Sequence, residues 1–306
     1  MAAFARQSHV PDQVIIAERH GAHPRLAAYK LARSRVWEDE WARYGPEAVR
    51  EVMEYYRRFP VIHATLLSHL PREGEILEAG SGLGHWVALL REAGFRARGV
   101  DTSPEGLARA RATFPGLRFD EGDVLALPYP DASFAGYVSF GVAEHFREGP
   151  RRVLEEAARV LRDGGIMVLT VPWISPLRRL PRWRPASPPE GAIFYQYFFT
   201  RPELHALVES CGFRIRAVDA YGTLKTLRDE TRALHARLKP SVSGGAPAPR
   251  LGSKLAGMSG APGLVRRLRW AAHNLLLENP ALHRLAAHMT VVVAERLPRA
   301  AARVRP

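Results

Sequence analysis

Ile76-Leu77-Glu78-Ala79-Gly80-Ser81-Gly82-Leu83-Gly84 is the stretch on which the reading of this chain turns. A short apolar run that ends in alternate glycines is a strand feeding a tight turn. Without Cβ atoms, Gly80, Gly82 and Gly84 let the backbone turn sharply and approach a ligand closely. Apolar periodicity then predicts a helix over 86–93, with Gly94 at its left-handed end. A second strand follows over 96–101 and a helix over 104–113, with Ser103 as its cap and Pro104 in the first turn.

The alternation continues. Strands are expected near 117–119, at 134–140 and at 166–171, and a helix at 151–161 ends at Asp163-Gly164-Gly165. Thr200-Arg-Pro-Glu203 is a capping box that opens a helix to Ser210, followed by strands at 213–221 and 289–295. Such alternation implies a parallel, doubly wound α/β sheet, whose ligands sit at the carboxyl ends of the strands. Residues 1–70 read as helical, with Trp37, Trp41, Tyr44, Val52, Met53 and Tyr56 spaced as a buried stripe. Residues 172–191 read as irregular, 240–263 as a Pro/Gly/Ser/Ala-rich linker, and 263–277 as a basic amphipathic helix.

Three acids fall at successive strand ends. Glu78 stands two residues before the first glycine, where it repels a pyrophosphate and suits an ammonium group. The dinucleotide fingerprint also fails further on, because its last glycine is matched by Val87. Asp101 ends the second strand, where a carboxylate accepts both hydroxyls of a ribose. Asp123, in Glu121-Gly-Asp123-Val124, suits an exocyclic amine, with Val124 against a purine face. Taken singly, each is as well explained as an ordinary loop acid or helix cap.

These motifs, with GVDTS (99–103), EGDVLALPYPDASFAGYVSFGVAEHF (121–146) and RVLRDGGIMVLTVP (159–172), resemble the class I S-adenosylmethionine-dependent methyltransferases of the type 11 small-molecule subgroup. The resemblance implies a Rossmann-like seven-stranded sheet with its last strand antiparallel, and S-adenosylmethionine as cofactor, leaving as S-adenosylhomocysteine. It implies that Glu78, Gly80, Ser81, Gly82 and Gly84 hold the methionine part, Asp101 and Thr102 the ribose, and Asp123 and Val124 the adenine, with Phe140 beside them. The corresponding domains are N-terminal helices over 1–70, a core over 71–222 plus 289–297, a basic helical insertion over 223–288, and a basic tail over 298–306. That insertion is where the chain departs from the family.

His145, after the fourth strand, is the candidate base for a hydroxyl acceptor, with Glu144 as its orienter. The same pair also suits plain loop packing. Trp173, Arg178, Tyr195 and Tyr197 are candidate acceptor contacts, since arginine interleaved with aromatics suits an acidic, partly apolar molecule. A cover loop with core aromatics has the same pattern.

Composition narrows the classes. The 306 residues carry 44 Lys and Arg against 31 Asp and Glu, a net +13. From Leu224 to Pro306 there are 15 basic and 4 acidic residues, so this segment holds +11 of it. Phosphate or an anionic membrane is the usual partner of such a surplus. A single cysteine, Cys211, excludes intrachain disulfides and cysteine-cluster metal sites, and no metal is expected. Without a signal-like start or an apolar spanning run, the chain reads as cytoplasmic, with peripheral contact at the inner membrane face open to the basic segment. The expected activity is methyl transfer to an oxygen of a small-molecule or lipid-linked acceptor. Nucleic acid is disfavoured, because Phe140-Gly141-Val142-Ala143 has no proline where amine-methylating relatives carry one. An RNA methyltransferase and a non-catalytic cofactor-binding scaffold are the alternatives.

Overall fold

The computed structural model describes residues 13–20, 23–30, 41, 44–57, 60–180, 187–188, 190–227, 229–230 and 279–298. The linker expected at 240–263, the helix at 263–277, the tail from 299 and Trp37 lie outside these residues.

Seven strands form the main sheet: β3 (Glu75–Ala79), β4 (Arg96–Asp101), β5 (Arg118–Glu121), β6 (Phe134–Phe140), β7 (Leu161–Pro172), β9 (Phe213–Tyr221) and β10 (Met289–Arg296). Their spatial order is β5-β4-β3-β6-β7-β10-β9. β3 to β7 pair in parallel, and β10 runs antiparallel between β7 and β9. The order reverses between β3 and β6, so the crevice at their carboxyl ends is the switch point.

Side-chain alternation covers both faces. Leu77, Tyr137, Met167, Leu169 and Val292 point into one core with Val153, Leu154 and Ala157 of α5 (Arg151–Val160). Their neighbours Ile76, Val138, Val168, Val291 and Val293 point into the other. There they meet α2 (Pro60–His69), α3 (His85–Glu92) and α4 (Pro104–Thr113), through Leu66, Trp86, Leu89 and Leu107. A period of two with both faces apolar is what a doubly covered sheet requires.

Ser103 caps α4 by accepting from the Gly106 N–H, and Thr200 caps α7 (Arg201–Ser210) by accepting from that of Glu203. Gly94 and Gly212 have φ of +86° and +87°, as the ends of the preceding helices demand.

The N-terminal expectation needs correction. Among the described residues helix is found at Trp41, in α1 (Pro46–Arg57) and in α2, whereas β1 (Gln13–His20) and β2 (His23–Lys30) are antiparallel strands. β2 also pairs antiparallel with β8 (Ile193–Phe198), making a separate three-stranded sheet. The reason is tertiary: Ala27, Ala28, Tyr29, Tyr197 and Phe198 are buried by that pairing, which overrides local helix propensity. The stretch expected to be irregular also contains one helical turn, α6 (Pro176–Arg179). A last helix, α8 (Pro280–Ala286), leads into β10.

Candidate active site

The turn after β3 is shaped by hydrogen bonds from both sides. The Gly80 and Ser81 N–H groups donate to the Val100 carbonyl at 2.8 and 2.9 Å, tying the turn to β4. Gly80 and Gly82 have φ of +81° and +49°. A Cβ on Gly80 would strike the Val142 side chain, and one on Gly82 would lie 2.9 Å from the Trp41 ring. The turn is therefore packed between the segment after β6 and an N-terminal tryptophan.

Glu78 is buried, and its Oε2 accepts from the Val87 N–H at 2.9 Å. Burial pushes its carboxyl well above the usual carboxylate range, and the neighbouring Asp101 adds to the rise. Asp101 Oδ2 accepts from Gly82 N–H at 2.7 Å and Oδ1 from Ser103 N–H at 2.8 Å. Burial raises the Asp101 carboxyl too, and those backbone donors pull it back. A carboxylate has about four lone-pair sites. Two remain on Asp101 after these bonds, enough for a vicinal diol. Buried Glu78 and half-buried Asp101, each costly to charge, suit a ligand of net positive charge. S-adenosylmethionine, with a sulfonium, an ammonium and a ribose diol, fits this donor set.

The other cofactor candidates lie along the same edge. Asp123 is exposed, and its Oδ1 accepts from the Leu125 N–H at 2.8 Å; Val124 is buried beneath it. Thr102 is exposed. Ser81 Oγ is buried without a hydrogen-bond partner. The Phe140 ring lies 4.7 Å from Trp86, which in turn lies 4.7 Å from Tyr56.

His145 sits on the single 3-10 turn Ala143–His145 after β6. Its Nδ1 is 2.6 Å from the Tyr195 carbonyl and its ring 4.8 Å from the Tyr195 ring. A carbonyl can only accept, so Nδ1 carries the proton and Nε2 the lone pair. Burial lowers the imidazole to about 4, hydrogen bonds to the Tyr195 and Gly141 backbone work against that, and the charge of Lys30 adds to it. The ring is thus neutral at pH 7.

Glu144 is not its orienter. The nearest approach, His145 Nε2 to Glu144 Oε1, is 3.9 Å, outside hydrogen-bond range, and the carbonyl of Tyr195 takes that place. Burial lifts the Glu144 carboxyl to about 8, and its Oε2 has no hydrogen-bond partner, so it is a neutral acid at pH 7.

The four expected acceptor contacts separate. Tyr195 stands against His145, with Lys30 Nζ 3.3 Å from its ring centroid. Tyr197 is fully buried, its hydroxyl donating to the Arg147 carbonyl at 2.9 Å. Arg178 is buried elsewhere, 3.0 Å from both Asp229 Oδ2 and His288 Nδ1. Trp173 packs with Ala220 and Ala287 beside it. Opposite charges on later segments, invisible as neighbours in the sequence, draw Arg178 away from the site.

Several groups at this edge escape a reading of the sequence. Lys30 and the Tyr195 carbonyl arrive through the β2–β8 pairing. His85, which opens α3, is half-buried and stacked 5.4 Å from Tyr56, and desolvation lowers it to about 4. The helical stripe does point to Trp41 and Tyr56; nothing local marks the others.

Comparison with known proteins agrees with this geometry. Residues 77–169 match the family model described as a methyltransferase domain, type 11. A Mycolicibacterium smegmatis protein named "Probable S-adenosylmethionine-dependent methyltransferase" is 32% identical over 164 residues, 53% of this chain and 60% of that protein. The demethylmenaquinone methyltransferase of Deinococcus radiodurans is 37% identical over 155 residues, 47% of this chain and 58% of its own. The chain therefore spans less than two thirds of either relative. Among solved structures, a Haloferax volcanii complex of a methyltransferase with its Trm112 activator superposes with a TM-score of 0.54 at 18% identity, over 87% of this chain and 100% of that one, a likeness of fold. Residues 77–169 of this chain are thus similar to the type 11 methyltransferase domain, and S-adenosylmethionine is the cofactor that this likeness implies.

Proposed function

We propose that the protein transfers a methyl group from S-adenosylmethionine to an oxygen of a small-molecule or lipid-linked acceptor. The observation that carries this reading is the position of His145. It lies three residues beyond Val142, the side chain that packs on Gly80, so the short segment that carries the imidazole adjoins the glycine turn.

Glu78 and the turn from Gly80 to Gly84, with Ser81, hold the methionine part. Asp101 and Thr102 take the ribose, and Asp123 with Val124 the adenine. Bound S-adenosylmethionine supplies an electrophilic methyl carbon on a sulfonium. The chain's own task is alignment and proton transfer. His145 would accept the acceptor's hydroxyl proton at Nε2, freeing the oxygen for the methyl group that the bound cofactor would supply. An imidazole near about 4 is a weak base, so it matches an acidic hydroxyl, whose developing charge Lys30 steadies.

The test is label transfer from methyl-labelled S-adenosylmethionine into a bacterial extract, followed by organic, aqueous and nucleic-acid fractionation. Organic or small-molecule aqueous label is expected. Label released only by ribonuclease would replace this reading with RNA methylation, and no label with intact cofactor binding would leave a scaffold.

A further inference from the structure

Three segments emerge together at the carboxyl ends of β7 and β9. Met289 pairs with both Pro172 and Tyr221, so residues 173–180, 222–230 and 279–288 leave the sheet side by side. Hydrogen bonds knot them. The Trp173 N–H donates to the His288 carbonyl at 2.7 Å and the His288 N–H to that of Tyr221 at 3.0 Å, while Arg178 bridges Asp229 and His288.

Outward, the same segments carry Leu180, Leu227 and Leu285, exposed by 52%, 37% and 52%. Among the described residues only one other large apolar side chain, Ile193, is comparably exposed. Isolated exposed leucines mean little; these three lie on segments that the sheet register and the Arg178 bonds bring side by side. Among the described residues of these segments the exposed charged ones are Arg179, Lys225 and Arg284, with no exposed carboxylate; Lys225 pairs with half-buried Asp229 at 3.2 Å. The chain also leaves for residues 231–278 at Glu230 and returns at Asn279. That stretch holds eight Lys and Arg (232, 237, 239, 250, 254, 266, 267 and 269) against one Glu (278). Leu180 is followed in sequence by Arg182-Trp183-Arg184.

The location gives these leucines a use. β7 is parallel to β6, β3 and β4, and β9 runs the same way because both oppose β10. The leucines therefore lie on the edge of the sheet that also carries Glu78, Asp101 and His145.

We propose that this face, Leu180, Leu227 and Leu285 with Arg179, Lys225 and Arg284, docks on an anionic lipid bilayer. Leucines enter the boundary between headgroups and acyl chains while the cations meet lipid phosphates, the two signals that reversible attachment needs. Docking there turns the methyl-transfer edge of the sheet toward the membrane.

The test is sedimentation of the full chain with vesicles. Binding is expected with phosphatidylglycerol-containing vesicles and not with pure phosphatidylcholine, and it weakens as salt is raised. The double variant Leu180→Asp/Leu285→Asp should bind about tenfold or more weakly while S-adenosylhomocysteine binding, read by calorimetry, is unchanged. Absence of sedimentation overturns the proposal. So does binding that the double variant leaves intact, which would assign lipid contact to residues 231–278 alone. A dimer seen by light scattering and dissolved by the same variant would instead make a second copy of this chain the occupant. The calorimetric readout keeps each result separate from the question of methyl transfer.

Discussion

The Nδ1–H of His145 donates to the carbonyl of Tyr195, and that carbonyl is available because Tyr195 is the extra residue of a β-bulge. Ala28 pairs with Gln196 and Tyr29 with Phe194, so Tyr195 is skipped in the ladder. Bulges are placed where a sheet must re-aim a group. This one fixes the tautomer of an imidazole on the turn that follows β6 of the other sheet, leaving the lone pair on Nε2. If that nitrogen takes the acceptor's proton, His145→Ala should lower kcat by about 10²–10⁴-fold and leave cofactor affinity intact. Steady-state rates with labelled cofactor, beside calorimetry, check both halves. A fully active variant would make the imidazole a strut between the two sheets.

Asp101 offers a cleaner test of the cofactor station. Its two oxygens already hold the N–H groups of Gly82 and Ser103, so the carboxylate both shapes the turn and has capacity for a diol. Asp101→Ala should weaken S-adenosylhomocysteine binding by about tenfold or more, since each hydrogen bond to a charged group contributes about 1.5–3 kcal/mol. Asp101→Asn keeps the shape and removes the charge, and should retain part of the loss. Unchanged affinity in the alanine variant would place the ribose elsewhere.

The core of the sheet is legible because each of its elements carries its own local punctuation. β4, α4, β6 and β9 occupy 96–101, 104–113, 134–140 and 213–221, as their sequence predicts, and Ser103, Pro104 and Gly212 mark the ends. Glu78 and Asp101 are legible for the same reason: a strand end is a local event. The small sheet is not local. β2 finds β8 across most of the methyltransferase core, and no periodicity in either segment announces the other. The groups it brings to His145, a backbone carbonyl and Lys30, bear no motif. Arg178 shows the opposite failure. Arginine among aromatics looks the same whether it faces a ligand or, as here, Asp229 and His288.

Gly80 makes a prediction about the turn itself. Its φ of +81° is costly for any other residue, and an added Cβ would overlap the Val142 side chain. Gly80→Ala should therefore destabilise the protein by about 2–4 kcal/mol, part from backbone strain and part from overpacking. Val142→Ala in the same background removes the overlap and leaves the strain, so it should restore only a portion. Urea unfolding of the two single variants and the double variant measures the coupling. Additive losses would show that Val142 is not the obstacle.

Glu144 and the neighbouring histidines set opposite limits on stability against pH. The folded Glu144 carboxyl titrates at about 8 against an ordinary 4.5, so between those values the folded state holds a proton that the unfolded chain has lost. Stability from this group is full below about 4.5 and declines as pH rises through about 8. His145 and His85 are lowered to about 4 from 6.5, so between those values the unfolded chain binds the extra protons and stability falls as pH drops. With two histidines against one carboxyl, the stability that these groups confer should peak near about pH 6.5. Glu144→Gln has no proton to lose and keeps the shape of the neutral acid. Its melting temperature should lie close to the wild type near pH 4.5 and exceed it by several degrees near pH 8.5, with a steeper fall between about pH 6.5 and 4.5, where Glu144 no longer offsets the histidines. Thermal melts of both proteins from about pH 4 to pH 9 decide it. Curves that superimpose on the alkaline side would mean that Glu144 is ionised in the folded protein, and would remove the neutral acid from beside His145.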